Sequence, residues 1–167
     1  MIYSNKLSEI LKIAFKKENI YSIILVFLIF AFDRYSKFII INNFNENIFY
    51  INNFINFDLI WNTGIGFGLL SSNSVLFYNF ITIFIIFVVI TLFYIVFKGD
   101  NNEKFILSLV IGGAIGNLYD RISFNAVPDF IDLHYGNFHW FTFNVADIFI
   151  TLGITVFIMV GIFKKDR

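Results

Sequence analysis

Four long apolar stretches, separated by polar segments, dominate the pattern of the chain. They run over about residues 21–41, 75–97, 105–122 and 141–163. At about 1.5 Å per helical residue, each approaches or exceeds the length needed to cross a hydrocarbon core of about 30 Å. We therefore predict an all-α membrane protein in which four transmembrane helices form one bundle, with residues 1–167 as a single domain.

The polar segments between these stretches differ in character. Residues 48–60 read IFYINNFINFDLI and are rich in β-branched and aromatic side chains, so they predict short strands within a cap over about 43–70. The string NTGIGFG at 62–68 permits a tight backbone fold. Because no Gly-Lys-Ser/Thr follows, it does not indicate a phosphate-binding loop. Residues 123–140 are predicted to form a loop between the last two helices.

The positions of the cations predict the orientation in the membrane. They precede the first stretch, flank the loop at 98–104 and follow the last stretch: Lys6, Lys12, Lys16, Lys17, Lys98, Lys104, Lys164, Lys165 and Arg167. Segments 42–74 and 123–140 contain no Lys or Arg. Since cytoplasmic loops carry the excess of Lys and Arg, we predict that both termini are cytoplasmic and that the cap faces outward.

The region before and within the first stretch has two further features. The stretch is too long for a signal peptide and no small-residue cleavage site follows it, so we expect it to be retained as a helix. Upstream, apolar residues fall at helical spacing among charged ones: Leu7, Ile10, Leu11 and Ala14. This spacing is typical of an interfacial helix, and a frayed polar tail remains an equal alternative.

Composition supports a membrane protein and excludes several functions. Hydrophobic residues make up 58% and charged residues 14% of the chain, and the mean hydropathy is +0.77. The formal net charge is zero, which gives no electrostatic basis for binding nucleic acid. The absence of cysteine excludes disulfides, thiolate metal sites and a cysteine nucleophile. The two histidines, His134 and His139, have no neighbours in sequence that resemble a ligand set, so no metal is expected.

The polar residues within the helices concentrate at one depth. At about 1.5 Å per residue, Asp33 lies about 18 Å and Lys37 about 24 Å from the cytoplasmic end of the first helix. The others fall in the last turns of the third helix or the first turns of the fourth: Asn117, Asp120, Arg121, Asn144 and Asp147. All of them are predicted to meet in the outer third of the bilayer, while the inner half of each helix is apolar.

Helical spacing groups these residues further. Asp33 and Lys37 are four apart and can pair, and Asn117 shares a face with both Asp120 and Arg121. Small residues at 112, 113 and 116 of the third helix allow a neighbouring helix to approach closely. A buried ion-pair network that fixes helix register is one interpretation of these charges.

Asp129 and Asp147 have no cation nearby in sequence, and each is the other's most evident partner. Two carboxylates that share a site hold one proton between them, as in an aspartic protease. One then activates water and the other donates a hydrogen bond to the scissile carbonyl. A proton-coupled transporter or channel subunit, and an inactive binding protein with the same groove, are the alternatives.

Five motifs in order resemble the bacterial lipoprotein signal peptidase (signal peptidase II) family. They are D-R-Y-S-K (33–37) for D-x-x-x-K, N-T-G-I-G-F (62–67) for N-x-G-x-A/S-F, G-N-L-Y-D-R (116–121) for G-N-x-x-D-R, V-P-D-F-I-D (127–132) for V-x-D-F-I/L, and F-N-V-A-D (143–147) for F-N-x-A-D. The resemblance covers nearly the whole chain.

This resemblance implies an intramembrane aspartic endopeptidase with Asp129 and Asp147 as the catalytic dyad. It implies supporting or substrate-binding roles for Asp33, Lys37, Asn62, Gly64, Asn117, Asp120, Arg121 and Asn144. The implied reaction removes the signal peptide of diacylglyceryl-modified prolipoproteins before the lipidated cysteine, without metal or organic cofactor. The implied setting is the bacterial inner membrane, with a multi-pass chain and the active site near the extracytoplasmic face. Prolipoprotein substrates and membrane lipid are the expected partners, a monomer is expected, and so is inhibition by globomycin-type peptides.

Three positions depart from the family pattern. Gly66 replaces Ala or Ser, Asn125 replaces a common Gly, and Phe141 stands where Pro usually begins the last helix. Asn tolerates a positive φ better than most residues, so Asn125 is expected to keep the turn. Trp61 and Trp140 are predicted to anchor the cap in the headgroup layer, and the cap is predicted to close over the substrate.

Overall fold

The computed structural model describes residues 16–44, 48–64, 75–99 and 101–165. In chain order the elements are helix α1 (Lys17–Asn43), strands β1 (Phe49–Tyr50) and β2 (Ile55–Asn62), helices α2 (Val75–Lys98) and α3 (Asn101–Phe124), strands β3 (Val127–Tyr135) and β4 (Phe138–Phe143), and helix α4 (Val145–Lys165). Each of the four apolar stretches forms a helix, as predicted, except that residues 141–143 at the start of the last stretch belong to β4. The interfacial helix expected at residues 7–14 and the departure at Gly66 lie outside the described residues.

Helix α3 is the centre of the bundle because its glycines let two neighbours approach. A Cβ atom on Gly112 would lie 2.7 Å from the Cβ of Ile29 in α1. A Cβ atom on Gly113 would lie 2.5 Å from the carbonyl oxygen of Ala146 in α4. Both distances are shorter than side chains allow, so the α1–α3 and α3–α4 contacts require glycine. The predicted close approach at these small residues is confirmed.

The outer surface of the bundle is apolar. Within the described residues, three helical segments are long and apolar enough to cross a membrane: Val75–Lys98, Glu103–Phe124 and Val145–Phe163. Helix α1 carries five charged residues, three of them in its second half, and is not among these segments, so a fourth span stays a prediction. Its exposed residues are nevertheless large and apolar, including Phe27, Phe32 and Phe38, whereas Asp33 and Lys37 are buried.

The cap includes more of the chain than predicted: it is an antiparallel four-stranded sheet in the order β1-β2-β3-β4, so β3 and β4 also belong to it. The expected loop over 123–140 is wrong: most of it is a hairpin, in which β3 pairs with β2 on one side and with β4 on the other. Alternating aromatic residues in FHWFTF favour a strand. Phe141 accordingly pairs with Leu133 in the sheet, and α4 begins at Val145 rather than at 141.

Two backbone features connect the bundle to this hairpin. Asn125 directly follows α3 with φ 54°, which confirms that the position needs a left-handed conformation that asparagine tolerates. Gly136 has φ 60° in the turn between β3 and β4. The sheet then packs on the end of the bundle through a buried cluster of Ile40, Phe130 and Val145. Strand β3 is thereby held against the helix ends.

A second polar group lies near the opposite end of the bundle, so the inner half is not wholly apolar. Lys104 is buried, and its Nζ donates to the Oδ1 of Asn19 at 2.8 Å. Buried apolar side chains, including Val26 and Ile111, occupy the positions between this pair and the outer charges. The Oγ of Ser108, one turn after Lys104, donates to the backbone carbonyl oxygen of Lys104 at 2.7 Å.

Candidate active site

An ion cluster centred on the buried Asp33, Lys37 and Asp120 joins α1 to α3. Lys37 Nζ donates to Asp33 Oδ2 at 2.9 Å, to Asp120 Oδ2 at 2.7 Å and to Asn117 Oδ1 at 2.8 Å. These three bonds use all three ammonium protons. Asp33 Oδ1 in turn accepts from the backbone N–H of Ala146 at 2.9 Å, at the start of α4. The cluster therefore fixes three helices relative to one another.

Arg34 supplies the second positive charge of this cluster, and it was not among the predicted site residues. Its guanidinium donates to both carboxylate oxygens of Asp120 and, at 3.1 Å, to Asp33 Oδ2. The same group lies over the ring of Tyr119, 4.9 Å from its centre. The signal was available in the sequence, since a cation inside an apolar stretch requires a partner. Arg34 and Lys37 together balance the two aspartates.

Arg121 does not belong to the ion cluster, contrary to the ion-pair interpretation. Its guanidinium donates to the carbonyl oxygen of Gly64, beyond the end of β2, and lies 5.4 Å from the centre of the Tyr78 ring. The backbone N–H of Gly64 donates to Asn62 Oδ1 at 2.7 Å. Arg121 thus holds the segment after β2 against α2 and α3.

The start of α4 explains the motif F-N-V-A-D. Asn144 is the residue before the helix, and its Oδ1 accepts the backbone N–H of Asp147 at 3.1 Å. The Asp147 carboxylate accepts the backbone N–H of Asn144 at 3.2 Å. This reciprocal pair is a capping box, in which two otherwise unbonded N–H groups of the first turn are satisfied. These two hydrogen bonds hold the Asp147 carboxylate at the N-terminus of α4, where Asp147 is only 7% exposed.

Asp129 reaches the same place from strand β3 and is 2% exposed. Its Oδ1 accepts from Asn144 Nδ2 at 2.5 Å and its Oδ2 accepts from Asn62 Nδ2 at 2.8 Å. Burial, followed by the nearby charge of Asp147, raises the pKa of Asp129 from 3.8 to about 7. Asn144 therefore bridges the two carboxylates, through its side chain to Asp129 and its backbone to Asp147.

Three amide side chains hold the two carboxylates, and each amide has a defined orientation. An amide oxygen accepts and its NH₂ donates, so a partner at the oxygen fixes which way the NH₂ points. Lys37 binds the oxygen of Asn117, whose Nδ2 then donates to Asp147 at 2.8 Å. Asn144 and Asn62 are fixed in the same way by backbone N–H groups. The carboxylates are thus positioned by neutral donors.

Two apolar grooves meet at Asp147. One, of about 300 Å³, lies between α2, α3 and α4, and is lined mainly by aliphatic residues such as Val88, Ala114 and Ile150. The other, of about 410 Å³, runs along α4 beside β4, between Phe143 and Leu152. A carboxylate at the junction of two apolar surfaces can act on a polar bond within an otherwise apolar ligand.

The ten residues predicted for the site form one continuous chain of hydrogen bonds. Lys37 binds three of them, Asp33, Asp120 and Asn117. From Asn117 the chain continues through Asp147, Asn144, Asp129, Asn62 and Gly64 to Arg121. The expectation that nothing near His134 and His139 resembles a ligand set is wrong. The hairpin brings Asp132 against both rings, a contact that depends on strand register and could not be seen in the sequence.

Comparison with known proteins identifies the family of the chain. A family model described as signal peptidase (SPase) II matches residues 25–163. Lipoprotein signal peptidases from Pelagibacter ubique (strain HTCC1062) and Francisella tularensis subsp. mediasiatica (strain FSC147) are 45% and 39% identical to the chain. The alignments cover 90% and 86% of this chain, and 93% and 92% of those relatives.

Solved structures agree. Two structures described as bacterial membrane enzymes, both determined by the in meso method, match with TM-scores of 0.71 and 0.70 at 31% and 30% identity. The matched regions cover 88% and 84% of this chain, and 90% and 91% of the chains in the two solved structures. These matches indicate a membrane-embedded peptidase. The chain belongs to the signal peptidase II family.

Proposed function

We propose that this chain is an aspartic endopeptidase that removes the signal peptide from diacylglyceryl-modified prolipoproteins. One observation carries the proposal: two buried carboxylates, Asp129 and Asp147, are bridged by Asn144 and held by neutral amides. The cations of the cluster are already balanced by Asp33 and Asp120. The pair therefore favours a single negative charge, shared over two carboxyl groups and one proton.

The shared proton supplies both halves of amide hydrolysis. The ionised carboxylate takes a proton from water as the water oxygen bonds to the scissile carbonyl carbon. The protonated carboxyl donates a hydrogen bond to the carbonyl oxygen and stabilises the charge that develops there. The tetrahedral intermediate then collapses: the C–N bond breaks, the leaving nitrogen gains a proton, and the dyad returns to its singly protonated state. Water is the nucleophile, so no metal ion is required at this step.

The grooves support a substrate with two apolar parts. A lipidated prolipoprotein carries a signal helix and two acyl chains, which meet at the cysteine beside the scissile bond. Two apolar grooves that converge on Asp147 match this shape. We propose that one groove holds the signal helix and the other the acyl chains, and that the polar bond between them reaches the dyad.

We further propose that α1 is the fourth span and that the site lies near the extracytoplasmic face. An apolar exposed face over buried Asp33 and Lys37 is the reverse of a soluble protein and suits a lipid environment. If α1 did not span the membrane beside α3, Asp120 of α3 would lie in the hydrocarbon region without the two cations that pair with it. The apolar positions between the two polar groups of the bundle, occupied by Val26 and Ile111, argue against a proton path across the membrane.

Cleavage by the purified protein tests this function. The substrate is a prolipoprotein carrying a diacylglyceryl cysteine, and the control is the same polypeptide with the cysteine unmodified. We expect mass spectrometry to show one cut, on the amino side of the lipidated cysteine, in the first substrate only. Equal cleavage of both forms would refute the assignment of the grooves, and cleavage of neither in native-like lipid would refute the peptidase function.

A further inference from the structure

The β3–β4 hairpin gathers the only two histidines of the chain around one carboxylate. Asp132 and His134 are two apart on β3, so they point to the same face of the sheet. His139 is the partner of His134 across the hairpin. Both rings turn the same nitrogen, Nδ1, toward the same oxygen, Asp132 Oδ2, at 3.5 Å for His134 and 2.7 Å for His139. The two rings are stacked with their centres 5.3 Å apart.

This cluster contains buried polar atoms that lack partners. His134 is only 5% exposed, and within the part of the chain that the structure describes its Nδ1 has no hydrogen-bond partner. The Oδ1 of Asn56 is likewise buried without a partner among the described residues, and Asn56 is the β2 neighbour of Asp132. Buried polar atoms without partners are uncommon in folded proteins, and a bound ion would satisfy those of this cluster.

We propose that Asp132, His134 and His139 bind one divalent first-row transition ion of the zinc type. Two imidazole nitrogens and a carboxylate oxygen form a ligand set suited to Zn²⁺, and imidazole is a poor ligand for Mg²⁺ or Ca²⁺. The three donor atoms already lie within 4.8 Å of one another. In a tetrahedral zinc site they would stand about 3.3 Å apart. A small rotation of the His139 ring, which is 54% exposed, can provide this adjustment.

The surroundings of the three ligands fit an ion open to solvent on one side. The exposed ring of His139 leaves an approach for the ion, and water can complete the coordination. The unpaired amide oxygen of Asn56 is a second source for the fourth ligand. One carboxylate compensates half of the ion's charge. The bound ion would link β3 to β4. Strand β3 also carries Asp129, which lies about 10 Å from Asp132 along the strand. It would stabilise the cap and take no part in hydrolysis, so this proposal is independent of the peptidase function.

Titration of the full chain with Zn²⁺ tests the site. The protein is purified in detergent without a polyhistidine tag, freed of metal with chelator, and titrated by calorimetry. We expect one Zn²⁺ per chain and a higher unfolding temperature with Zn²⁺ than without it. Because His134 is buried and its replacement can disturb folding, the exposed His139 carries the test. His139→Gln is expected to weaken binding at least about tenfold.

Asp58→Asn, which alters an aspartate of β2 outside the cluster, serves as the matched control and is expected to bind Zn²⁺ like the parent. Co²⁺ provides an independent signal, since its visible spectrum reports nitrogen ligands. The chain has no cysteine and no third histidine, so such a spectrum would identify these residues. No saturable binding of Zn²⁺, or equal affinity in the parent and His139→Gln, would overturn the proposal.

Discussion

Replacing Asp129 with Asn should change how the stability of the protein depends on pH. Burial, with the nearby charge of Asp147 as the second cause, raises the pKa of Asp129 from 3.8 to about 7. The folded protein therefore keeps this proton over a pH range in which the unfolded chain has lost it. Because the folded state retains this proton, the contribution of Asp129 to the free energy of unfolding is fully present below pH 3.8. This contribution is lost as the pH rises through about 7.

The size of this loss follows from the two pKa values. One pKa unit corresponds to about 1.4 kcal/mol, so this group lowers the free energy of unfolding by about 3 kcal/mol between about pH 4.5 and about pH 8.5. Asp129→Asn keeps the shape of the side chain and removes its titration. The variant also turns an NH₂ group toward one of the two amides that donate to Asp129, which costs about 1–3 kcal/mol at every pH. The variant is thus less stable at acidic pH and recovers relative to the parent as pH rises.

Thermal unfolding in detergent, followed by tryptophan fluorescence, measures this difference. The chain has two tryptophans, and both Trp61 and Trp140 lie in the cap sheet that contains Asp129. Asp58→Asn makes the same chemical change in β2 and is expected to follow the parent's profile. Parallel pH profiles for the parent and Asp129→Asn would refute the reasoning, because they would mean that burial does not raise the pKa of this carboxyl.

Two further substitutions test the packing of α1 against α3 and the side-chain cap at the start of α4. A Cβ atom on Gly116 would lie 2.5 Å from Asp33 Oδ2, so Gly116→Ala should lower stability by about 1–3 kcal/mol and reduce processing. Gly161→Ala is the control, because a Cβ atom there meets nothing within 4 Å and the substitution should have neither effect. Similar unfolding temperatures for the two variants would contradict the packing argument. Asn144→Ser keeps a helix cap but cannot bridge to Asp129, so processing should fall at least about tenfold. Asn144→Ala loses the helix cap as well, so an unfolding assay should find it about 1 kcal/mol less stable than Asn144→Ser. Full activity of the Ser variant would mean that the bridge does not position the dyad.

The helices could be predicted from the sequence, because they depend on local patterns of apolar residues. The same patterns predicted that the polar residues of the helices, including Asn144 and Asp147, meet near one end of the bundle. Stretch boundaries at the cap were less accurate. Phe141 was assigned to the last helix because hydropathy does not distinguish a strand from a helix end, and only the pairing with Leu133 decides the matter.

Contacts that depend on tertiary geometry could not be predicted. Arg34 is a cation inside an apolar stretch, and its pairing with Asp120 depends on the rotation of α1 against α3. Lys104 was assigned to a cytoplasmic flank, although its bond to Asn19 buries it inside the bundle. The cluster at Asp132 depends on the register of a hairpin that was expected to be a loop. In each case the contact depends on how the elements pack against one another.

Processing of a diacylated prolipoprotein by the Asp129→Asn and Asp147→Asn variants tests the proposed dyad most directly. Each substitution keeps the shape of the side chain and removes its capacity to exchange a proton. With both variants folded, we predict that each loses at least about a hundredfold in rate, while Asp58→Asn processes like the parent. A rate within about threefold of the parent in either variant would contradict the account, because general acid–base catalysis by that carboxyl accounts for a much larger factor.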